Sequence, residues 1–425
     1  MKRRNFIQAP LALAATTGLS ACSGLASAPD HARVVIIGGG YGGATAAKYI
    51  RLFSDYRIEV VLIEPEGQFL SCPMSNLIIG GSKTMADISS SYSSLSSRHG
   101  VQQVRDSATA IDAERKLVTL ARGNRIRYDK LVLSPGVDLM FDSIEGLQAA
   151  HDSGQILQAW KAGPETQALR RQLEAMPDGG VFAITIPEAP YRCPPGPYER
   201  ASQVASYFKR AKPRAKVLIL DANPDVTSKS ALFKKYWAEQ YPTQLEYVPG
   251  HKLMAVDARS GSLKFEVQAD IKADLLNVLP PMRAGAIAHR TGLANLNSRW
   301  CQVDFQTFAS TQAPDIHVIG DATASAPFMP KSGHMANGHG KVAAAAIVAQ
   351  LSGLDINPAP LLTNTCYSFV NDDSAIHVAS VHQYVAAEKT YKTLPGSGGL
   401  STAPSELEGR HAWSWARNIW RDTLS

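Results

Sequence analysis

RVVIIGGGYGGATAAKYIRLF, residues 33–53, decides how this chain folds. A β-branched run enters a glycine turn and leaves it as a helix of small residues. The spacing Gly38-x-Gly40-x-x-Gly43 is that of a dinucleotide-binding turn. Glycines let the backbone come close to a pyrophosphate, and the start of the following helix offers it free N–H donors. The next strand, RIEVVLIEP (57–65), ends at Glu64, about 20 residues past the turn, where a carboxylate binds ribose hydroxyls. The glycines alone would be a weak signal. With strand, helix and acidic strand end in register, they specify a Rossmann-like unit.

Outward from that unit, residues 101–134 alternate in hydrophobicity and are broken by ERK and RGN turns, which predicts a β-meander returning to the main sheet through YDKLVLSPG. Much later, APDIHVIGDAT (313–323) supplies another apolar strand ending in Gly320-Asp321, a carboxylate placed to bind a ribityl hydroxyl. These pieces outline an FAD domain in two parts, 33–150 and 286–352. Between them, 151–285 repeats the α/β pattern: VFAITIP, then the helix ERASQVASYFKRA, then AKVLILDANP with Asp221 near its end. Its first turn reads YRCPPGPYER (191–200), where proline replaces glycine. The backbone there lacks the freedom and some of the N–H donors a pyrophosphate needs, so NAD(P)H is not expected to bind. The tail, 353–425, reads as a small α+β domain whose tryptophans (Trp413, Trp415, Trp420) are assigned to its core. The predicted class is therefore α/β, with two Rossmann-like domains of the FAD/NAD(P)-binding type, the second inserted in the first, and a small C-terminal domain.

The chain has 425 residues, 45% hydrophobic and 19% charged, as expected of an ordinary folded protein of two or three domains. Residues 1–28 have the layout of an export signal, and Arg3-Arg4 followed by Phe6-Ile7 resembles the twin-arginine type. That route carries folded proteins, which suits one that receives its cofactor before export, and it predicts a periplasmic location. The apolar run is shorter than the roughly 20 residues a membrane span needs. Cys22 either ends a lipoprotein cleavage box, giving a lipid anchor, or is discarded with the signal. Three of the six net positive charges (Lys2, Arg3, Arg4) lie in this segment, and the remaining charge, about +3, argues against a nucleic-acid binder. Cys72, Cys193, Cys301 and Cys366 remain. They form no CxxC pair, haem-attachment motif or zinc spacing, so no metal site is predicted and any haem c would come on a partner subunit.

FLSCPMSNLIIGG (69–81), YRCPPGPYER, IGDAT followed by MPKSGHMANGHGK (329–341), and TNTCYSFV (363–370), together with the glycine turn, resemble the flavoprotein subunits of flavocytochrome c sulfide dehydrogenases. The glycine and Gly-Asp motifs are shared by a wider superfamily that includes sulfide:quinone oxidoreductases; the cysteine contexts are more specific. The resemblance implies a redox-active disulfide between Cys193 and Cys366 beside the flavin, the alternative being an inert bridge that ties the tail to the insertion. It implies an active-site carboxylate at Glu199, otherwise a first-turn helix acid in solvent. It also implies FAD attached through a thioether at Cys72, otherwise a buried thiol. Cys301 is left as a core residue. A helix opening at Lys331-Ser332-Gly333 would direct its N-terminus and Lys331 at the flavin ring, while His334 and His339 are read as packing or surface residues. The implied activity is oxidation of sulfide, with electrons passing through FAD to a c-type cytochrome subunit. The alternatives are a sulfide:quinone oxidoreductase and a non-catalytic electron-transfer subunit.

Overall fold

The computed structural model describes residues 32–425, so the predicted export signal and Cys22 lie outside the described residues. Strand β1 (Arg33–Ile37), α1 (Tyr41–Phe53) and β2 (Glu59–Ile63) form the opening βαβ unit. Both strands are buried along nearly their whole length, as parallel strands covered on two faces must be. The main sheet adds β3 (Gln102–Val104) and β4 (Lys130–Leu133) from the first segment. In the insertion, β5 (Val181–Ile186), α2 (Gly196–Ala211), β6 (Lys216–Asp221), β7 (Leu245–Val248) and β8 (Leu275–Val278) build a second parallel sheet, ordered β7-β6-β5-β8. The chain then returns through β9 (Ile316–Val318), and the main sheet reads β9-β4-β1-β2-β3, all parallel. The outgoing and returning connections, Val137–Leu139 and Met282–Ala284, pair antiparallel and tie the two sheets at their crossing point.

The mixed α/β fold with two Rossmann-type sheets agrees with the sequence reading. The meander does not run over all of 101–134. Only 108–127 form the three-stranded antiparallel unit, while residues 102–104 are an edge strand of the main sheet. A three-residue stretch with two polar side chains carries too little pattern to tell a sheet edge from a hairpin arm.

Helix α3 (Gly333–Ser352) lies along α1. Small residues allow it: a Cβ on Gly340 would stand 2.6 Å from the Gly42 carbonyl oxygen. The close crossing sets the N-terminus of α3 beside the glycine turn. After α3, β10 (Leu361–Phe369), β11 (Ala375–Val385) and β12 (Thr390–Thr393) form an antiparallel sheet, and α4 (Glu406–Leu424) closes the chain. Helix α4 buries Ala412, Ala416, Ile419 and Leu424, packing on α1 and β11. Lys48 Nζ donates to the carbonyl oxygens of Arg421 (3.2 Å) and Asp422 (3.0 Å), satisfying groups the end of a helix leaves free.

Candidate active site

One cleft receives side chains from all three parts of the chain. It encloses about 1240 Å³, part of it open to solvent, between the glycine turn, the loop after β5, the start of α3 and strand β10. Both parallel sheets therefore present strand ends to it, as ligand sites in such sheets do.

The dinucleotide part is preformed. Gly38 has φ +97°, and a Cβ on Gly43 would stand 1.9 Å from the Gly38 carbonyl oxygen, so the turn can close only with glycine at 43. Where a Cβ on Gly40 would project, nothing lies within 4 Å, and Gly40 borders the cleft. Glu64 follows β2 and holds the turn, accepting the Gly39 N–H at 2.6 Å and the Glu66 N–H at 2.9 Å. Each of its oxygens keeps a lone pair for a hydroxyl. Gly320 and Asp321 follow β9 at the opposite wall. Burial pushes the Asp321 carboxyl above its ordinary range, while Arg192 and Lys331 pull the other way. Among the described residues no side chain or N–H bonds it, leaving an acceptor aimed into the cleft. A cradle open at Gly40 and an unpartnered Asp321 fit a flavin dinucleotide.

Cys72, in the loop after residues 69–70, also borders the cleft, and its Sγ accepts the Ala162 N–H at 3.4 Å. Cys193 stands in the loop between β5 and α2 with φ +58°, a conformation uncommon outside glycine and characteristic of functional loops. Its N–H donates to the Lys331 carbonyl (2.8 Å) and its own carbonyl accepts the Gly196 N–H (2.8 Å). Gly196 must be glycine: a Cβ there would meet the Trp160 ring at 2.6 Å and Cys193 Sγ at 3.0 Å. Cys366, on β10, reaches the same cleft and donates from Sγ to Asn364 Oδ1 at 3.5 Å. The two thiols are unbridged here. Burial pushes both upward, Glu199 adds to this on both and Cys366 adds to it on Cys193, and Lys229 acts against it on both.

Glu199 is 6% exposed, so it is not a solvated first-turn acid. Oε2 accepts from Asn76 Nδ2 (3.0 Å) and Oε1 from the Phe369 N–H (2.8 Å). Burial holds this carboxyl above its ordinary value against those bonds and the charges of Lys229 and Arg200. Arg200, beside it, is among the most buried side chains. Its guanidinium donates to Asn76 Oδ1 (3.1 Å), Asn277 Oδ1 (2.9 Å), the Gln158 carbonyl (2.8 Å) and the Ala159 carbonyl (2.6 Å).

Lys331 is the predicted site residue whose side chain the fold turns elsewhere. Its ammonium bonds the Asp321 carbonyl (3.0 Å) and the Thr323 carbonyl and lies 3.8 Å from the centre of the Trp300 ring. Desolvation lowers it to about 8. The guanidiniums that line the cleft are instead those of Arg192 and Arg200; Arg192 bonds the Trp160 carbonyl and lies near Cys72, Asp321 and Cys193. The helix start does border the cleft, through Ser332, Gly333 and His334. His334 is thus a cleft residue, its Nδ1 accepting the Thr365 N–H at 2.9 Å, whereas His339 packs against Phe308. Trp415 lines the cleft as well as packing against the tail's core. Cys301 is fully buried, its thiol pushed up to about 12 by burial. No group of metal-ligating side chains occurs among the described residues.

In the insertion, Asp221 occupies the ribose-carboxylate position at the end of β6. It is taken up by Tyr198 Oη (2.6 Å), Tyr247 Oη (3.1 Å) and Asn223 Nδ2 (2.7 Å), with Tyr198 rising from the proline-rich start of α2.

Three family models match successive parts of the chain. They describe a pyridine nucleotide-disulphide oxidoreductase (residues 32–171), the central part of the flavoprotein chain of flavocytochrome c sulfide dehydrogenase (166–280), and the flavin-binding part of that protein (358–424). The sulfide:quinone oxidoreductase of mouse mitochondria is 23% identical over 313 residues, 70% of this chain and 67% of that one; the Dictyostelium discoideum enzyme is 24% identical, with 65% of its length matched. The chain thus spans about two thirds of these relatives. The flavoprotein chain of flavocytochrome c sulfide dehydrogenase from Chlorobaculum thiosulfatiphilum is 52% identical over 46 residues, 94% of that sequence and 11% of this chain. Among solved structures, the Aquifex aeolicus sulfide:quinone oxidoreductase superposes with a TM-score of 0.76 at 18% identity, covering 92% of this chain and 91% of that one. With its own central and flavin-binding family models matched in place around this cleft, the chain belongs to the flavoprotein chains of flavocytochrome c sulfide dehydrogenase, within the sulfide-oxidising flavoproteins.

Proposed function

We propose that this protein oxidises hydrosulfide at a Cys193–Cys366 disulfide and delivers the electrons through FAD to a c-type cytochrome subunit in the periplasm. The single observation that carries the reading is the convergence of Cys193, Cys366 and buried Glu199 in the cleft that also holds Cys72 and the unpartnered Asp321. Gly38, Gly40 and Gly43 would cradle the pyrophosphate, Glu64 and Asp321 would take ribose and ribityl hydroxyls, and Cys72 would anchor the ring. Bound flavin would accept the two electrons released when the disulfide re-forms.

Chemistry follows from what the side chains can do. Hydrosulfide attacks one cysteine sulfur; a new S–S bond forms, the bond between the cysteines breaks, and its electron pair leaves on the other sulfur as thiolate. A second hydrosulfide takes the outer sulfur away as HSS⁻ and leaves a thiol. That thiol and the thiolate close to the disulfide again, giving up one proton and two electrons. Glu199, whose carboxyl burial pushes above its ordinary value, can exchange the proton with the sulfur. Released sulfur would then grow to polysulfide or elemental sulfur.

A cytochrome acceptor is favoured over a quinone by the tail helix. Its buried apolar residues Ala412, Ala416, Ile419 and Leu424 pack inward, and of its aliphatic side chains only Leu407 is exposed, a small apolar surface to offer a bilayer. Occupation of Asp221 by two tyrosines supports the absence of NAD(P)H from the reaction. The test is a Cys193→Ser variant with flavin content matched to the parent. Sulfide-dependent reduction of cytochrome c should fall to background; retention of the parental rate would exclude the disulfide route, and a parent reducing only quinone would move it to the quinone class.

A further inference from the structure

Lys229 precedes the helix Ser230–Gln240 in the insertion, in a part of the chain no motif pointed to. It is 6% exposed and its φ is +58°, an unfavourable conformation for a long side chain. The ammonium crosses to the C-terminal sheet, donating to the Cys366 carbonyl at 3.0 Å and to Ser368 Oγ at 2.7 Å. A buried ammonium has three donors and a full charge, and it persists only where anions face it. The groups whose anionic forms would face it are Cys366 on β10, Glu199 on α2, Cys193 in the loop before α2, and Glu408 on α4. The Cys366 sulfur is also approached by Asn364, and by Ser332 at the N-terminus of the 20-residue α3.

We propose that Lys229 is a positioning residue for the sulfur pair, its buried ammonium stabilising the negative charge that appears on the Cys366 sulfur when the disulfide is opened. This rests on the sulfide-oxidising reading of the cleft. Desolvation draws the Lys229 ammonium down to about 8, and a thiolate at Cys366 would be the largest influence holding it up. A carboxylate at 199 alone would oppose a second anion so close; the ammonium lets both coexist.

The test reads the thiol directly, without sulfide, in flavin-loaded protein. In a Cys193→Ser background, the alkylation rate of Cys366 by iodoacetamide is followed against pH, with the modified peptide identified by mass spectrometry to separate it from Cys72 and Cys301. Adding Lys229→Met should slow alkylation near pH 8 by about tenfold or more and move the profile to higher pH, the range a nearby opposite charge commands. Lys229→Arg should stay within about threefold of the background. Where the methionine variant does not fold, Lys229→Gln serves with the same expectation. An unchanged profile in the neutral variant overturns the proposal. Hydrosulfide that leaves the parent's flavin oxidised would instead overturn the reading it rests on, whatever the alkylation shows.

Discussion

Arg200→Met is the sharpest test of how the cleft is held. The guanidinium spans three chain segments, bonding Asn76 on one side, Gln158 and Ala159 on another, and Asn277 behind, while its charge faces Glu199. Desolvation lowers even this guanidinium to about 9, a measure of how far water is excluded. Methionine fills similar volume but leaves three acceptors without a donor, the Gln158 carbonyl keeping Asn277 Nδ2 at 3.2 Å, and leaves Glu199 with Lys229 alone as neighbouring cation. Removing one partner of a buried charge pair costs about 3–5 kcal/mol. At 2–4 °C per kcal/mol for a cooperative unit of about 150–250 residues, the apparent melting temperature should fall by roughly 6–20 °C.

Differential scanning calorimetry on flavin-loaded protein reads this directly. Arg200→Lys gives an internal control: a compact ammonium keeps the charge but cannot serve a fork of four acceptors, so it should fall between parent and methionine. A methionine variant melting within about 2 °C of the parent, with full flavin, would refute the reasoning, because the lost bonds would then be worth less than 1 kcal/mol. An arginine-to-lysine loss as large as the methionine loss would show that geometry, not charge, carries the interaction.

Two further outcomes are expected. In the parent, acid precipitation should leave the protein pellet yellow, and Cys72→Ala should send all the flavin to the supernatant; a colourless parental pellet would remove Cys72 as the anchor. For Glu199, burial raises the folded carboxyl above its ordinary 4.5, so the folded state binds that proton more tightly than the unfolded chain. Its stabilising contribution is complete below the ordinary value and is lost as pH rises through the raised one. Glu199→Gln removes that loss. The melting temperature of the variant relative to the parent should therefore climb as pH rises above the ordinary carboxylate value, and a flat or falling difference would contradict a buried, proton-retaining carboxyl.

How much of this was legible in the sequence depends on the range of the interaction that carries it. The glycine turn, the acidic end of β2 and the Gly-Asp after β9 are readable because each is a local backbone requirement, met within a few residues. The proline-rich loop at 191–200 was readable for the same reason: it lacks the donors a phosphate turn must have. Lys331 went the other way. Its sequence position at a helix start was right, yet a side chain of that length is free to turn back, and Trp300 with two carbonyls offered a better place for its charge than the open cleft. Arg192, one of two guanidiniums lining the cleft, stands beside Cys193 in the same loop and could have been noticed as the basic neighbour of a thiol. Lys229 and Asn76 could not. They act across more than a hundred residues of chain, Lys229 on Cys366 and Asn76 on Glu199, and although Asn76 stands in the motif around Cys72, nothing local shows which partner either side chain meets. Trp415 packs against the core as read, but its second role at the cleft was not legible, because aromatic spacing in an amphipathic helix looks the same whether the stripe meets another helix or also the mouth of a cleft. Chemistry in this fold is therefore local in its cysteines and long-range in the charges that tune them, and those charges are where substitutions elsewhere in the chain will be felt first.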